Sequence, residues 1–245
     1  MSMAPPVANT GERILLEKET PLMIARHFCA YRFAQNFCKA KVVLDFGCGE
    51  GYGAHFLSLA AKSVIGVDYD EGVIAYARQK YKAENLQFLT ADAQKGKFTD
   101  CKFDVICNFQ VIEHIKEAGV FLKNINRMLQ DSGTFICSTP NRLDASPKSN
   151  TPLNKFHVKE YLVNEFKGLL EGYFGDIELF GVKRGRKLAF YRRLKKMGLF
   201  NCLPQKLDPV KNFYSRIDCD NFVITKDKLA LALDFIAVCK KSNKT

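Results

Sequence analysis

The chain has 245 residues, 47% hydrophobic and 26% charged, a composition ordinary for a globular protein able to bury a sizeable core. No apolar stretch approaches the roughly 20 residues of a membrane span, and the first residues lack the basic flank and apolar run of a secretory signal. Nine cysteines without a C-x-x-C pair speak against a disulfide framework or a zinc site and for reduced thiols in a cytoplasmic protein. The net charge is +11, yet Lys183 to Arg216 alone holds eleven basic residues against Asp208, so the remainder is close to neutral and any anionic partner is a question about that one segment.

Taken in order, residues 1–40 form an N-terminal helical segment, with Leu22, Ile24, Ala25, Phe28, Cys29, Phe33 and Phe37 recurring at helical spacing. Short β-like runs follow at 41–46, 63–68, 86–91, 103–109 and 133–139, separated by segments of helical periodicity. Asp131-Ser132-Gly133 reads as a helix stop with Gly133 as a left-handed cap. Near-continuous apolar strands joined by helices predict an α/β, doubly wound, Rossmann-like and mostly parallel sheet, covered on both faces. Further on, 154–174 is a helix with its approach, 176–182 a strand and 233–241 a closing strand. Residues 183–230 are a basic insertion between the last two strands and a candidate lid, the whole of 1–245 being one domain.

The chemistry begins at "VVLDFGCGEGYG" (42–53), where glycines stand at 47, 49, 51 and 53. Gly49 to Ala54 satisfies G-x-G-x-x-G/A and Asp68 follows about twenty residues later, a pattern a nicotinamide or flavin dinucleotide also uses. A nucleoside triphosphate loop is excluded because no G-K-[ST] follows. Asp45 separates the survivors: a pyrophosphate at the next helix would face that carboxylate at short range, whereas a cationic ligand would gain from it. S-adenosylmethionine is such a ligand. On this reading Gly47, Gly49 and Gly51 admit its methionine part, Asp68 accepts from the ribose hydroxyls, and Asp92 accepts from the adenine amine. Tyr69, Ala93 and Phe109, beside the ends of strands two, three and four, complete the expected contact set.

These segments, together with "VIGVDYD", "LQFLTADA", "FDVICNFQVIEHI" and "GTFICSTPNR", resemble the successive motifs of the class I S-adenosylmethionine-dependent methyltransferases, from about residue 40 to residue 182. The resemblance implies a seven-stranded sheet in order 3-2-1-4-5-7-6 with the last strand antiparallel. Residues 110–115, "QVIEHI", are similar to the E-x-x-E-H segment of two such groups, the quinone-biosynthesis O-methyltransferases and the small-RNA terminal 2′-O-methyltransferases, in which it binds Mg²⁺. His157, Glu160 and Tyr161 match the spacing of a further His and acid in the RNA enzymes, so the resemblance implies a metal set of Glu113, His114 and His157. The chain departs at Gln110, where the family has its first Glu, and losing one carboxylate weakens a hard-cation site.

Methyl transfer needs alignment and exclusion of water more than covalent help. A hydroxyl acceptor must also lose a proton, and His157 and His114 are the catalytic candidates for taking it, with metal assistance as the alternative. No nucleophile motif and no N-P-P-[YF] loop are present, which favours O-methylation. "STPN" and "N-x-FH-x-x-EY" resemble bacterial sugar and small-molecule methyltransferases, so a small-molecule or sugar-type acceptor leads and an RNA 2′-O-methyltransferase is the alternative. A catalytically silent S-adenosylmethionine-binding or NAD-binding protein is the reading from another class. In the insertion, Leu188, Phe190, Tyr191, Leu194 and Met197 form one helical stripe among cations. A lid offering cations to a phosphate-bearing acceptor, a membrane-surface helix and a nucleic-acid contact all suit that stripe. His27 and His55 lie on apolar helix faces and read as core or surface residues.

Overall fold

The computed structural model describes residues 15–92, 101–198, 200 and 203–241. In chain order the elements are α1 (Pro21–Cys38), β1 (Val42–Phe46), α2 (Tyr52–Ser58), β2 (Ser63–Asp68), α3 (Glu71–Lys80), β3 (Leu86–Thr90), β4 (Phe103–Phe109), α4 (Ala118–Met128), β5 (Leu129–Pro140), α5 (Arg142–Ala145), α6 (Val163–Glu171), β6 (Phe174–Arg184), α7 (Arg186–Met197), α8 (Pro209–Ser215), β7 (Phe222–Thr225) and β8 (Asp234–Lys241). They build one sheet in the order β3-β2-β1-β4-β5-β8-β6-β7. The first five strands in that order are parallel, and β8 runs antiparallel to both β5 and β6.

The doubly wound sheet is therefore as expected, with one strand more. The eighth is β7, which the insertion adds to the outer edge: β6 runs on to Arg184, and Phe222–Thr225 pair antiparallel with Gly181–Arg184. A second difference lies at Asp131–Gly133. Helix α4 stops at Met128, and the buried Leu129 is already extended and paired with Phe103. The three residues belong to β5, and the left-handed glycine that ends a helix is Gly198, after α7.

Side chains alternate across each strand, and in β1 this sorts the chemistry from the scaffold. Leu44 and Phe46 face the core that contains α4 and α6, while Val43 and Asp45 face the layer of α1, α2 and α3. Leu188, Ile217, Cys219 and Phe222 of the insertion join the α1 side of the core. The insertion is thus packed onto the domain through its own apolar residues. The turns after β1, β2, β3, β4 and β5 all open at the carboxyl edge of the sheet, where doubly wound folds bind ligands.

Candidate active site

A cavity of about 550 Å³ lies over that edge, between the strand ends and α1. Gly47, Cys48 and Gly49 form its floor; Asp68, Tyr69, Ala91 and Asp92 one wall; and Glu113, His114, His157 and Glu160 the far end. The volume suits a nucleoside-sized ligand with a small acceptor beside it.

The glycine loop divides into positions that serve the ligand and positions that serve the fold. Gly49 adopts φ +52 and nothing lies within 4 Å of where a Cβ would stand, so its backbone is open for close approach. A Cβ on Gly51 would meet Phe88 at 2.7 Å and one on Gly53 would meet the Tyr31 ring at 2.0 Å. Gly51 does not line the cavity; it caps α2 and lets the loop pack on α3 and β3.

The three strand-end acids also differ. Asp68 lines the cavity, its carboxylate fixed by the Gly49 amide on Oδ2 (3.0 Å) and the Asp70 amide on Oδ1 (3.1 Å), while Asp70 caps α3. Asp92 lines it too. Asp45 does not: it is fully buried one layer below, accepting from the Tyr31 hydroxyl at 3.2 Å. Burial, with the nearby Asp68 charge, pushes its carboxyl up to about 7. Tyr69 is exposed along the wall and Phe109 is buried at the end of β4, both against the cavity; Ala93 lies outside the described residues.

Helix α1 carries most of what the pattern reading missed. His27 and Tyr31, four residues apart on one helix face, and the adjacent Arg26 all line the cavity. Arg26 donates to both oxygens of Asp234, at 2.6 Å each, and to the Leu233 carbonyl at 2.9 Å. His27, read from sequence as core or surface, pairs its Nδ1 with the Tyr52 hydroxyl at 2.5 Å, and burial holds its imidazole down to about 4, hence neutral. Tyr31 meets Phe109 edge-on (4.8 Å between ring centroids) and Tyr52 at 5.8 Å. The signal in the sequence was a run of polar and aromatic residues on a helix face otherwise apolar. His55 stacks on Tyr81, away from the cavity.

At the far end two loops are stitched together by backbone. The Glu113 carbonyl accepts from the Val158 and Lys159 amides (2.7 and 3.1 Å), and His114 Nδ1 donates to the Phe156 carbonyl at 2.9 Å, leaving its lone pair on Nε2. Asn154 accepts from the Phe156 amide through Oδ1 and so presents Nδ2–H to His157 Nε2 at 2.9 Å. His157 then donates from Nδ1 to Glu160 Oε1 at 2.7 Å, which fixes its tautomer. Glu160 Oε2 is buried with no hydrogen-bond partner among the described residues. Glu113 accepts from the Thr139 hydroxyl at 3.2 Å, and burial, aided by Asp234 and Glu160, pushes its carboxyl up to about 8.

Glu113, His114 and His157 bring one donor atom each within 4.8 Å of one another, the set that the resemblance implied for Mg²⁺. Two of the three are imidazole nitrogens and Glu113 is the sole carboxylate among them, a weak set for Mg²⁺, which prefers anionic oxygen. Gln110 adds none, since its amide points to Ser138 Oγ and Asp234 Oδ1 at 3.3 and 3.4 Å.

A Rossmann-like sheet whose carboxyl edge holds a glycine loop, strand-end acids and an aromatic wall is the setting in which doubly wound folds bind nucleoside ligands. Comparison with known proteins makes the class specific. A family model described as a methyltransferase domain matches residues 44–137. A probable S-adenosylmethionine-dependent methyltransferase of Mycolicibacterium smegmatis is 38% identical over 183 residues, 74% of this chain and 70% of that protein. Another of Mycobacterium tuberculosis is 37% identical over 181 residues, 73% of this chain; the chain spans 65% of that relative's length. A ubiquinone biosynthesis O-methyltransferase of Bradyrhizobium diazoefficiens is 35% identical over 104 residues, 41% of this chain and 40% of that protein. In fold, the chain is similar to the N-methyltransferase NodS of Bradyrhizobium japonicum bound to S-adenosyl-L-homocysteine (TM-score 0.60, 15% identity, covering 92% of this chain and 90% of that one). The chain belongs to the S-adenosylmethionine-dependent methyltransferases.

Proposed function

We propose that the protein methylates a hydroxyl of a small, polar acceptor such as a sugar-type molecule, with His157 taking the proton. The observation that carries this reading is the Asn154–His157–Glu160 chain, which lines the same cavity as Gly47 and Gly49.

When bound, S-adenosylmethionine supplies a methyl group already activated on a sulfonium. The chain supplies the rest. Asp68 holds the ribose hydroxyls with a carboxylate that two backbone amides keep in place. Tyr31, Tyr52 and Phe109 present ring faces and edges where a sulfur cation is stabilised and water excluded. At the far end, Nε2 of His157 accepts the acceptor's proton, the incoming hydroxyl replacing the Asn154 amide as its partner. Glu160 Oε1 keeps the proton on Nδ1 and stabilises the imidazolium that forms, the general arrangement of a carboxylate-oriented histidine base. Buried polar atoms almost always have partners, so the orphan Oε2 of Glu160 is where a second acceptor hydroxyl would donate.

The cavity's charge narrows the acceptor. Glu19, Asp68, Asp92, Glu160 and Asp234 line it beside Glu113, whose raised carboxyl holds its proton at neutral pH, while Arg26 is the sole Lys or Arg among the described lining residues and is already committed to Asp234. An acceptor phosphate therefore has to stay outside, at the rim, where Arg184 and Arg26 flank Asp144 at 3.4 and 3.8 Å. The similarity to a ubiquinone biosynthesis O-methyltransferase supports oxygen as the target atom.

The test is S-adenosylhomocysteine release across a panel of polyol, catechol, carboxylate and amine acceptors. Turnover confined to hydroxyl acceptors, lost about 10²–10⁴-fold in His157→Ala, is expected. Turnover only with amines, or a His157→Ala enzyme of full activity, would overturn the assignment. Addition of EDTA should leave the rate unchanged.

A further inference from the structure

The insertion is basic, but its helix α7 is not the single apolar stripe its sequence suggests. Leu188 is buried, and Tyr191 stacks flat on Phe213 of α8 at 4.1 Å and 8°. Lys187 lies over the Phe213 ring at 5.6 Å and Lys195 over Tyr214 at 4.8 Å, completing the face that packs on α8. The opposite face keeps two large apolar side chains in the open: Phe190 is 57% exposed and Met197 66%. At the helical step, Arg186, Phe190, Arg193 and Met197 fall within an arc of about 60°. All four are exposed. Beyond the helix, Leu207 is 68% exposed, on a turn with Lys206 beside it.

Phe and Met alternating with Arg along one solvent-facing line match neither a solvated helix nor a simple phosphate-binding patch. A helix that needed only solubility would not leave Phe190 and Met197 uncovered, and a site for free phosphate has no use for them. An anionic bilayer surface uses both at once: apolar side chains enter the acyl boundary while the cations stay among the headgroups. Ten net positive charges on Lys183–Arg216 supply the complementary field. The face also has a functional address. α7 follows directly from Arg184, whose guanidinium meets Asp144, which meets Arg26 at the cavity rim.

We infer that the Arg186–Phe190–Arg193–Met197 face of α7 docks the protein on anionic lipid bilayers, with the cavity rim beside the membrane surface. RNA is the rival polyanion, and it differs in needing the arginines but not Phe190 or Met197.

The test is co-sedimentation of the full chain with phosphatidylcholine vesicles, with and without 30% phosphatidylglycerol at about 0.15 M salt, beside a filter-binding assay with single-stranded RNA. Binding to the anionic vesicles only is expected. Phe190→Ser with Met197→Ser should weaken it at least about tenfold while leaving the thermal melting temperature and S-adenosylhomocysteine binding as in the wild type. Arg186→Gln with Arg193→Gln should weaken it about 20-fold or more, since each interfacial cation is worth roughly fivefold in partitioning. No binding to anionic vesicles overturns the inference. So does vesicle binding indifferent to Phe190 and Met197, or RNA binding tighter than vesicle binding, because either leaves a purely electrostatic patch.

Discussion

Asp45→Asn tests whether the buried Asp45 carboxylate is kept for the ligand at the expense of the fold. The residue is fully buried in the middle one of the five parallel strands, with Gly66 and Cys107 as its neighbours on β2 and β4 and the Tyr31 hydroxyl donating to its side chain. Its folded pKa of about 7 stands above the ordinary 3.8, so the native state holds a proton that the unfolded chain has given up. For a raised acid, folding stability is fully present below pH 4 and falls as pH rises to about 7, after which the loss is constant. A shift of about three units corresponds to about 4 kcal/mol, undiminished by solvent because the group is buried. Asparagine keeps an oxygen for Tyr31 and cannot ionise. The variant should therefore gain about 2–4 kcal/mol over the wild type at pH 8 and little at pH 4.5, read from urea unfolding at the two pH values.

The same variant should bind S-adenosylhomocysteine nearly as before, but lose about 1–2 kcal/mol, roughly tenfold, for S-adenosylmethionine, because only the latter carries the sulfonium. Calorimetric titration at pH 8 measures both. A destabilised Asp45→Asn, or equal losses for the two ligands, would refute the claim that a buried carboxylate beneath the glycine loop is retained for a sulfur cation.

Glu113→Gln should act likewise, with the stability difference from wild type opening between pH 4.5 and about 8, because this carboxyl too is raised by burial; a difference that shrinks with rising pH would contradict the assignment. Gly49→Ala should unfold about 1 kcal/mol more easily, from its φ of +52, and bind S-adenosylhomocysteine at least tenfold less tightly, because the added methyl enters the open cavity. Gly53→Ala should show the reverse balance in melts and binding, losing about 2–3 kcal/mol of stability because its methyl collides with the Tyr31 ring at 2.0 Å. Glu160→Gln should lower kcat about 10- to 100-fold, since it removes the charge behind the imidazolium, and also raise KM, since an amide NH2 then stands where Oε2 would accept from the second acceptor hydroxyl.

Much of this site could be read from spacing. Glycines and acids at the ends of successive strands land together because a parallel sheet brings every strand's carboxyl end to the same edge, so Gly49, Asp68 and Asp92 converge on one cavity. His157 and Glu160 were recoverable because their three-residue spacing survives as a direct 2.7 Å contact. Other features depend on neighbours that no local pattern names. Gly51 and Gly53 look like ligand positions until Phe88 and Tyr31 are seen filling the space over them. Asp45 shares a motif with Gly47 but does not line the cavity: it is fully buried beside Tyr31, whose hydroxyl donates to it and whose ring does line the cavity. β7 escaped notice since it has only four residues, and two of its partners, Lys183 and Arg184, lie beyond the end expected for β6.

Helix α1 shows how far a scaffold reading can mislead. Its apolar spacing is real, and Ala25, Cys29 and Ala34 do bury against the sheet. Yet the same helix brings Arg26 to Asp234 at the start of β8, His27 to Tyr52 at the start of α2, and Tyr31 to Asp45 on β1. Each contact joins the helix to a different element of the cavity, and each places a polar group that is buried or nearly so. Polar groups in such places are costly when unpaired, so α1 cannot leave this face without stranding Asp234, His27 and Asp45 together. The helix before the first strand is thereby tied to the cavity: Arg26, His27 and Tyr31 line it, and each is seated by a partner on a different element.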